Sequence, residues 1–279
     1  MISHGWSSLL PFEFAQDTWT LTRVIDLGNT TPVLVKISGT KRELRINTSA
    51  RLNKGAAERV VSDVRHMFRL DDDMSSFYRA MAAEPEFSWI AQHGAGRMLR
   101  SPTVFEDLVK MICTTNCSWA LTDKMATNLV ESLGRESKDG RRTFPTPEAM
   151  ALMPLKFYVK EIRAGYRAAY LKELADRVAA GQLNVGEWLT SDLPTTELVK
   201  AMKTVKGVGD YAAENLLKLV GRYDGLALDS WTRAKFFRTR NKGRKTSDKK
   251  IAQFYSRFNS WRGLALWCDM TRDWMADGK

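Results

Sequence analysis

Two glycines two apart, Gly207 and Gly209, interrupt an otherwise regular pattern in Thr204-Val-Lys-Gly-Val-Gly-Asp-Tyr-Ala-Ala-Glu-Asn-Leu-Leu-Lys218. This stretch constrains the chain most. Glycine reaches the positive-φ backbone of a tight turn without penalty. Its missing side chain also lets a ligand approach the main chain. Ala212, Ala213, Leu216, Leu217 and Val220 then recur at helical spacing, which predicts a helix. Asp210 is suited to be its N-cap. The expected structure is a hairpin followed by a helix whose first amides are exposed, a geometry that favours an anion such as a phosphate. Asp229 follows in Leu226-Ala-Leu-Asp-Ser-Trp-Thr-Arg233, a carboxylate among apolar and basic neighbours.

The charge balance points the same way. The net charge is +11 and the pI about 9.6, which suits a polyanionic partner. Between Arg233 and Lys250 stand Arg233, Lys235, Arg238, Arg240, Lys242, Arg244, Lys245, Lys249 and Lys250 against the single acid Asp248. The run reads either as a solvated loop or as a phosphate-facing surface, with Phe236 and Phe237 as aromatic anchors. The 279 residues suffice for one large or two to three modest domains. No apolar run has the length of a membrane span, and Met1-Ile-Ser-His-Gly-Trp6 lacks the layout of a signal peptide. Cys113, Cys117 and Cys268 are too few and too scattered for a disulfide framework. A reducing, cytoplasmic setting is expected, with nucleoid association if the source is bacterial.

Read in order, residues 1–95 suggest a small antiparallel β domain with helices. Pro32–Ile37 and Glu43–Ile46 alternate apolar and polar residues around Ser38-Gly39-Thr40, a hairpin signature. Trp19–Arg23 suggests another strand. Ala56–Phe68 predicts a helix burying Val60, Val61, Val64, Met67 and Phe68. Short helices are expected over Ser75–Met81 and Phe87–Gln92. Residues 96–279 suggest a larger all-helical region. Thr103 and Glu106 form a capping-box pattern, and further helices are expected over Trp119–Leu133, Leu155–Ile162, Arg167–Ala179, Glu197–Lys203 and Gly263–Met275. The expected class is α+β, with a helix-hairpin-helix over 197–220.

With these residues assembled, the chain resembles the helix-hairpin-helix DNA glycosylase superfamily. The likeness rests on Val205-Lys-Gly-Val-Gly-Asp-Tyr-Ala-Ala213 with Leu226-Ala-Leu-Asp229 twenty residues after the second glycine. Phe105–Asn116 resembles the helix and loop that enter the minor groove in the 8-oxoguanine branch. Ala164-Gly-Tyr-Arg-Ala-Ala-Tyr170 resembles a segment set against the opened base pair. The N-terminal region resembles the extra domain of the 8-oxoguanine and bacterial 3-methyladenine glycosylases. Two departures stand out: Lys206 replaces the usual proline before the first glycine, and Tyr211 occupies the position of the lysine nucleophile in bifunctional members.

The resemblance implies base flipping from duplex DNA carrying a damaged or modified base, and a monomeric enzyme. Asp229 would stabilise positive charge on the sugar and orient water; it also reads as a simple helix N-cap. Lys206, Gly207, Val208, Gly209, Tyr211 and Arg233 would hold the DNA backbone. Asn116, Tyr166 and Arg167 would fill the gap and meet the opposite base. Asn215, Trp231, Trp267 and Asp269, with Met270, are candidates for the base pocket. No cofactor is expected: three cysteines exclude a four-cysteine iron–sulfur cluster, and His4, His66 and His93 show no metal-ligand spacing. Related hairpins can hold a monovalent or alkaline-earth ion through main-chain carbonyls. Tyrosine cannot form a Schiff base, which favours monofunctional hydrolysis. The alternatives are a glycosylase/lyase using a displaced lysine, Lys206 or Lys218, and a non-catalytic DNA-binding protein of the same fold.

Overall fold

The computed structural model describes residues 3–28, 30–40 and 43–276, with 275 and 276 described through their backbone alone. Met1 and Ile2, on which the signal-peptide reading partly rests, and 277–279, the end of the helical region, lie outside the described residues. Four strands come first: β1 Phe12–Ala15, β2 Thr20–Ile25, β3 Val33–Gly39 and β4 Leu44–Thr48. They form an antiparallel meander in the order β1-β2-β3-β4, with Phe12 opposite Arg23 and Leu21 opposite Ile37. The helices are α1 Lys54–Phe68, α2 Ser75–Ala82, α3 Ser88–Gln92, α4 Val104–Thr114, α5 Trp119–Leu133, α6 Pro147–Ala151, α7 Leu155–Lys160, α8 Arg167–Ala179, α9 Thr195–Met202, α10 Asp210–Val220, α11 Ser230–Arg240, α12 Asp248–Tyr255, α13 Arg262–Met270 and α14 Arg272–Ala276. The α+β class expected from the periodicities is the one observed.

The chain divides into two compact units, and the division does not fall at residue 95. One unit holds 1–70, 99–187 and 205–207, so the sheet shares it with α1 and α4–α8. Leu21, Val24, Val35 and Ile37 of the sheet are buried, as are Val60, Val64 and Met67 of α1. Val61 is instead 45% exposed. Asp63, two residues on, is buried, and its carboxylate is held by Arg59 at 3.0 Å. Thr103 caps α4 by accepting from the Glu106 amide, but the reciprocal half of the capping box does not form. Glu106 is drawn away by Arg23 of β2, which donates two hydrogen bonds of 3.0 and 2.7 Å, and by Lys110 at 2.7 Å. All three side chains are buried. Burial would raise the Glu106 carboxyl; the two cations outweigh it and hold it at about 2.

The other unit holds 71–98, 188–204 and 208–279. Helices α2 and α3 belong here because Phe77, Met81, Phe87 and Ile90 pack in one core with Tyr255, Phe258, Leu264 and Met270. The expected helix over Gly263–Met275 is interrupted at Thr271, where the backbone leaves helical geometry (φ −106°, ψ 13°), and α14 begins after it. Helix α12 begins at the end of the basic run, and its short apolar face, Ile251, Phe254 and Tyr255 at i, i+3 and i+4, was not read from the sequence.

Candidate active site

The hairpin between α9 and α10 forms as its glycines require, with one change at the helix start. Gly207 has φ +89°, and a Cβ there would lie 2.8 Å from the Tyr170 ring. Gly209 is the N-cap of α10, with extended backbone (φ −90°, ψ −172°) and no side chain to cap with. Asp210 is therefore the first helical residue instead, and its carboxylate takes a 2.6 Å hydrogen bond from Lys203. The first amides of a helix lack intrahelical partners, and a glycine cap leaves them for an external acceptor. A Cβ on Gly209 would meet nothing within 4 Å, so the approach is open. Val208 is buried, anchoring the turn. Lys206 is exposed and donates to Glu173 at 2.6 Å.

Asp229 is half-buried at the N-cap of α11. Its Oδ1 accepts from the Thr232 amide at 2.6 Å. Among the described residues its Oδ2 accepts no hydrogen bond, so capping and a second task are compatible. The loop that delivers it is tightly held. Ala227 adopts a left-handed φ of +53°, and its amide donates to the Glu214 carboxylate. Lys218 Nζ donates to the Leu226 carbonyl at 3.4 Å. From the other side the Gly263 amide donates to the Tyr223 carbonyl at 2.7 Å, and a Cβ on Gly263 would strike the Gly225 carbonyl at 1.9 Å. Tyr211, Glu214 and Lys218 share one face of α10 by their spacing.

The charges around Asp229 are arranged on that face. Burial lowers the Lys218 ammonium to about 8, although Glu214 and Asp229 both oppose the shift. Desolvation, reinforced by the negative charge of Asp229, raises the Tyr211 hydroxyl to about 12. Tyr211 thus stays a neutral phenol at neutral pH. Beyond Asp229, the rings of Trp231, Trp267 and Trp274 lie 5.9–6.1 Å apart, centroid to centroid. Trp231 is 37% exposed. Asn215 donates to the Tyr211 carbonyl at 2.9 Å.

Several expected site residues have different surroundings from those foreseen. Asp269 is 5% exposed. Arg240 grips both its oxygens at 2.8 and 2.6 Å, and Tyr255 donates to it at 2.5 Å. It is a core ion pair whose two oxygens are engaged by Arg240 and Tyr255, and Met270 is fully buried. Arg233 is bound in fork geometry by Asp248, at 2.8 Å twice. Arg167 is buried; its guanidinium donates to the Thr115 carbonyl and lies 4.4 Å over the Tyr166 ring. It supports the loop after α4. That loop presents Asn116, exposed and at φ +47°, with Tyr166 53% exposed. Trp274 and Glu214 were not read as parts of the site around Asp229, and Lys218 was named only as a displaced nucleophile. The heptad spacing of Trp267 and Trp274 was the available signal for the first, and the i,i+4 spacing of Glu214 and Lys218 for the others.

A hairpin that offers helix-start amides, followed by a restrained aspartate, defines a helix-hairpin-helix enzyme. The chain belongs to the HhH-GPD superfamily of base excision DNA repair proteins, whose family model matches residues 109–262. It is a DNA glycosylase. It is 24% identical over 211 residues to a DNA-3-methyladenine glycosylase of Bacillus subtilis, covering 71% of this chain and 67% of that one. In fold it is similar to the Clostridium acetobutylicum 8-oxoguanine glycosylase/lyase solved with DNA containing cytosine opposite 8-oxoguanine, at 21% identity and a TM-score of 0.74, over 97% and 92% of the two chains. It is equally similar to the 3-methyladenine DNA glycosylase of Archaeoglobus fulgidus, at 20% identity and a TM-score of 0.73, over 99% and 93%.

Proposed function

We propose that this glycosylase is monofunctional, hydrolysing the bond between deoxyribose and a flipped, damaged base without cutting the strand. The observation that carries this is Tyr211, a neutral phenol where an amine nucleophile would stand, beside Asp229. As the base departs, positive charge builds on the sugar. The open oxygen of Asp229 stabilises that charge and orients the attacking water, a contribution of roughly 3–4 kcal/mol for preorganised groups of this kind. Lys206 and the amides of Gly207, Val208, Gly209 and Tyr211 hold the DNA backbone, with Arg233 in reach of it once released by Asp248. Asn116 and Tyr166 fill the space that the base leaves in the stack. A monovalent or alkaline-earth ion on the hairpin carbonyls belongs to this reading as a structural element. It would rest on main-chain oxygens; among the described residues no group of three or more His, Cys, Asp or Glu could hold a metal ion.

The Trp231–Trp267–Trp274 cluster, two residues past Asp229, favours an electron-poor base, since aromatic faces attract cations. An alkylated purine is such a base, and the Bacillus relative is named for one. A second reading uses Lys218 as a displaced nucleophile, favoured by its lowered pKa of about 8. Its 1% exposure opposes that reading, because the amine would have to leave its bond to Leu226. Incubation with duplexes carrying single lesions separates these outcomes. Monofunctional action yields strand breaks only after hot alkali and no adduct with borohydride. Breaks without alkali, and a trapped adduct lost in Lys218→Met, would establish the second reading.

A further inference from the structure

We infer that Glu214 is a positioning residue for Asp229, acting through the Ala227 amide with Lys218 as its buried counter-cation; the inference rests on the catalytic reading of Asp229. Glu214 and Lys218 stand four apart on α10, the spacing at which opposite charges meet on a helix. Both reach the same short loop. The Glu214 carboxylate accepts from the Ala227 amide, and Lys218 donates to the adjacent Leu226 carbonyl. The Glu214 stem lies against Gly225, where a Cβ would come within 3.3 Å of its Cγ. A bulkier residue at 225 would push the carboxylate off the loop.

Ala227 gives these contacts their purpose. Left-handed backbone is strained for an L-residue, so a φ of +53° persists only where the surroundings hold it. Here the holding group is a charged acceptor, which makes a stronger bond than a neutral one. Two residues on, the α11 amide of Thr232 fixes one oxygen of Asp229. The carboxylate is thus restrained at both ends of a four-residue loop, with its other oxygen directed by the backbone. A carboxylate so near Asp229 would also repel it. Lys218, 1% exposed, offsets both negative charges, and its charged neighbours are Glu214 on its own helix and Asp229 on the loop. A helix needs no such device merely to pack: an apolar residue at 218 would fill the space at lower cost.

The test uses two duplexes that need no knowledge of the base. One carries a tetrahydrofuran abasic site, the other a pyrrolidine whose protonated nitrogen mimics the cationic sugar. The ratio of their dissociation constants reads how well Asp229 is placed. Wild-type protein is expected to prefer the cation about tenfold or more, and Asp229→Asn to lose the preference. Glu214→Gln and Glu214→Leu remove the same charge, but only leucine removes the acceptor. The glutamine variant should keep the preference within about threefold, and the leucine variant should fall to the level of Asp229→Asn, with tetrahydrofuran binding unchanged. The double variant Glu214→Leu/Lys218→Met leaves no buried charge unpaired and secures the test should the single variant misfold; it must show the same loss. Equal preferences for the leucine and glutamine variants, or wild-type preference in the double variant, overturn the inference. Retention of the preference by Asp229→Asn overturns the catalytic reading beneath it instead.

Discussion

On the proposed reading, the side chain at position 211, two residues after Gly209, decides between two chemistries. A phenol held neutral near Asp229 cannot form the imine that strand cleavage by a lysine requires. Tyr211→Lys should therefore create a borohydride-trappable DNA adduct that the wild-type protein does not form, visible as a slow band on a denaturing gel; absence of that band would mean that the position is not aimed at the sugar. Single residues were legible where their role is local. Gly207, Gly209 and the capping by Asp229 all follow from neighbours a few residues away. Arg167, Arg233 and Asp269 were not, because their partners are distant in sequence or hidden by exposure: Thr115 lies 52 residues from Arg167, and Arg240 lies 29 from Asp269. Only tertiary structure shows that such charges are already spent.

Helix α10 and its turn carry the clearest consequences at the scale of an element. The two glycines should respond differently to alanine. Gly207→Ala forces a Cβ to 2.8 Å from Tyr170 at a positive φ, and should cost roughly 1–3 kcal/mol in urea unfolding. Gly209→Ala meets open space at an allowed φ; its stability should fall by no more than about 1 kcal/mol, the usual handicap of alanine at an N-cap, and a weaker grip on DNA would report the approach of a phosphate to the amides. Lys218 makes a pH prediction. Its folded pKa of about 8 lies below the unfolded value of about 10.4. Between these values the unfolded chain binds more protons, so stability rises with pH there. The difference in thermal melting between Lys218→Met and the wild type should accordingly move in the wild type's favour from pH 7.5 to 10; a constant difference would contradict the burial of a charged amine. Periodicity located α5, α8 and α10 well. It missed β1, which is only Phe12–Ala15, and the break at Thr271, which no glycine or proline announces.

For the whole molecule, charge and layering act together. A net charge of +11 predicts DNA binding that weakens steeply with salt, each neutralised phosphate adding about 0.9 to the slope of log affinity against log salt. Arg233 and Arg240 are held by Asp248 and Asp269, so Lys245, Lys249 and Lys250, all exposed, should contribute most. Changing these three to alanine should flatten the slope by about 2–3 while leaving melting unchanged; an unaltered slope would place the DNA elsewhere. The α+β class was legible because strand and helix periods change along the chain. The grouping of 71–98 with the C-terminal helices was not, since it depends on Phe77 and Phe87 finding Tyr255 and Phe258 far along the sequence.

The most direct test of the account is base release by Asp229→Asn. Wild-type and variant protein are incubated with the lesion duplexes under single-turnover conditions, and the freed bases are measured by mass spectrometry. The account predicts release by the wild type and a loss of about two to three orders of magnitude in the variant, with binding to a tetrahydrofuran duplex unchanged. Release by the variant at the wild-type rate would contradict it.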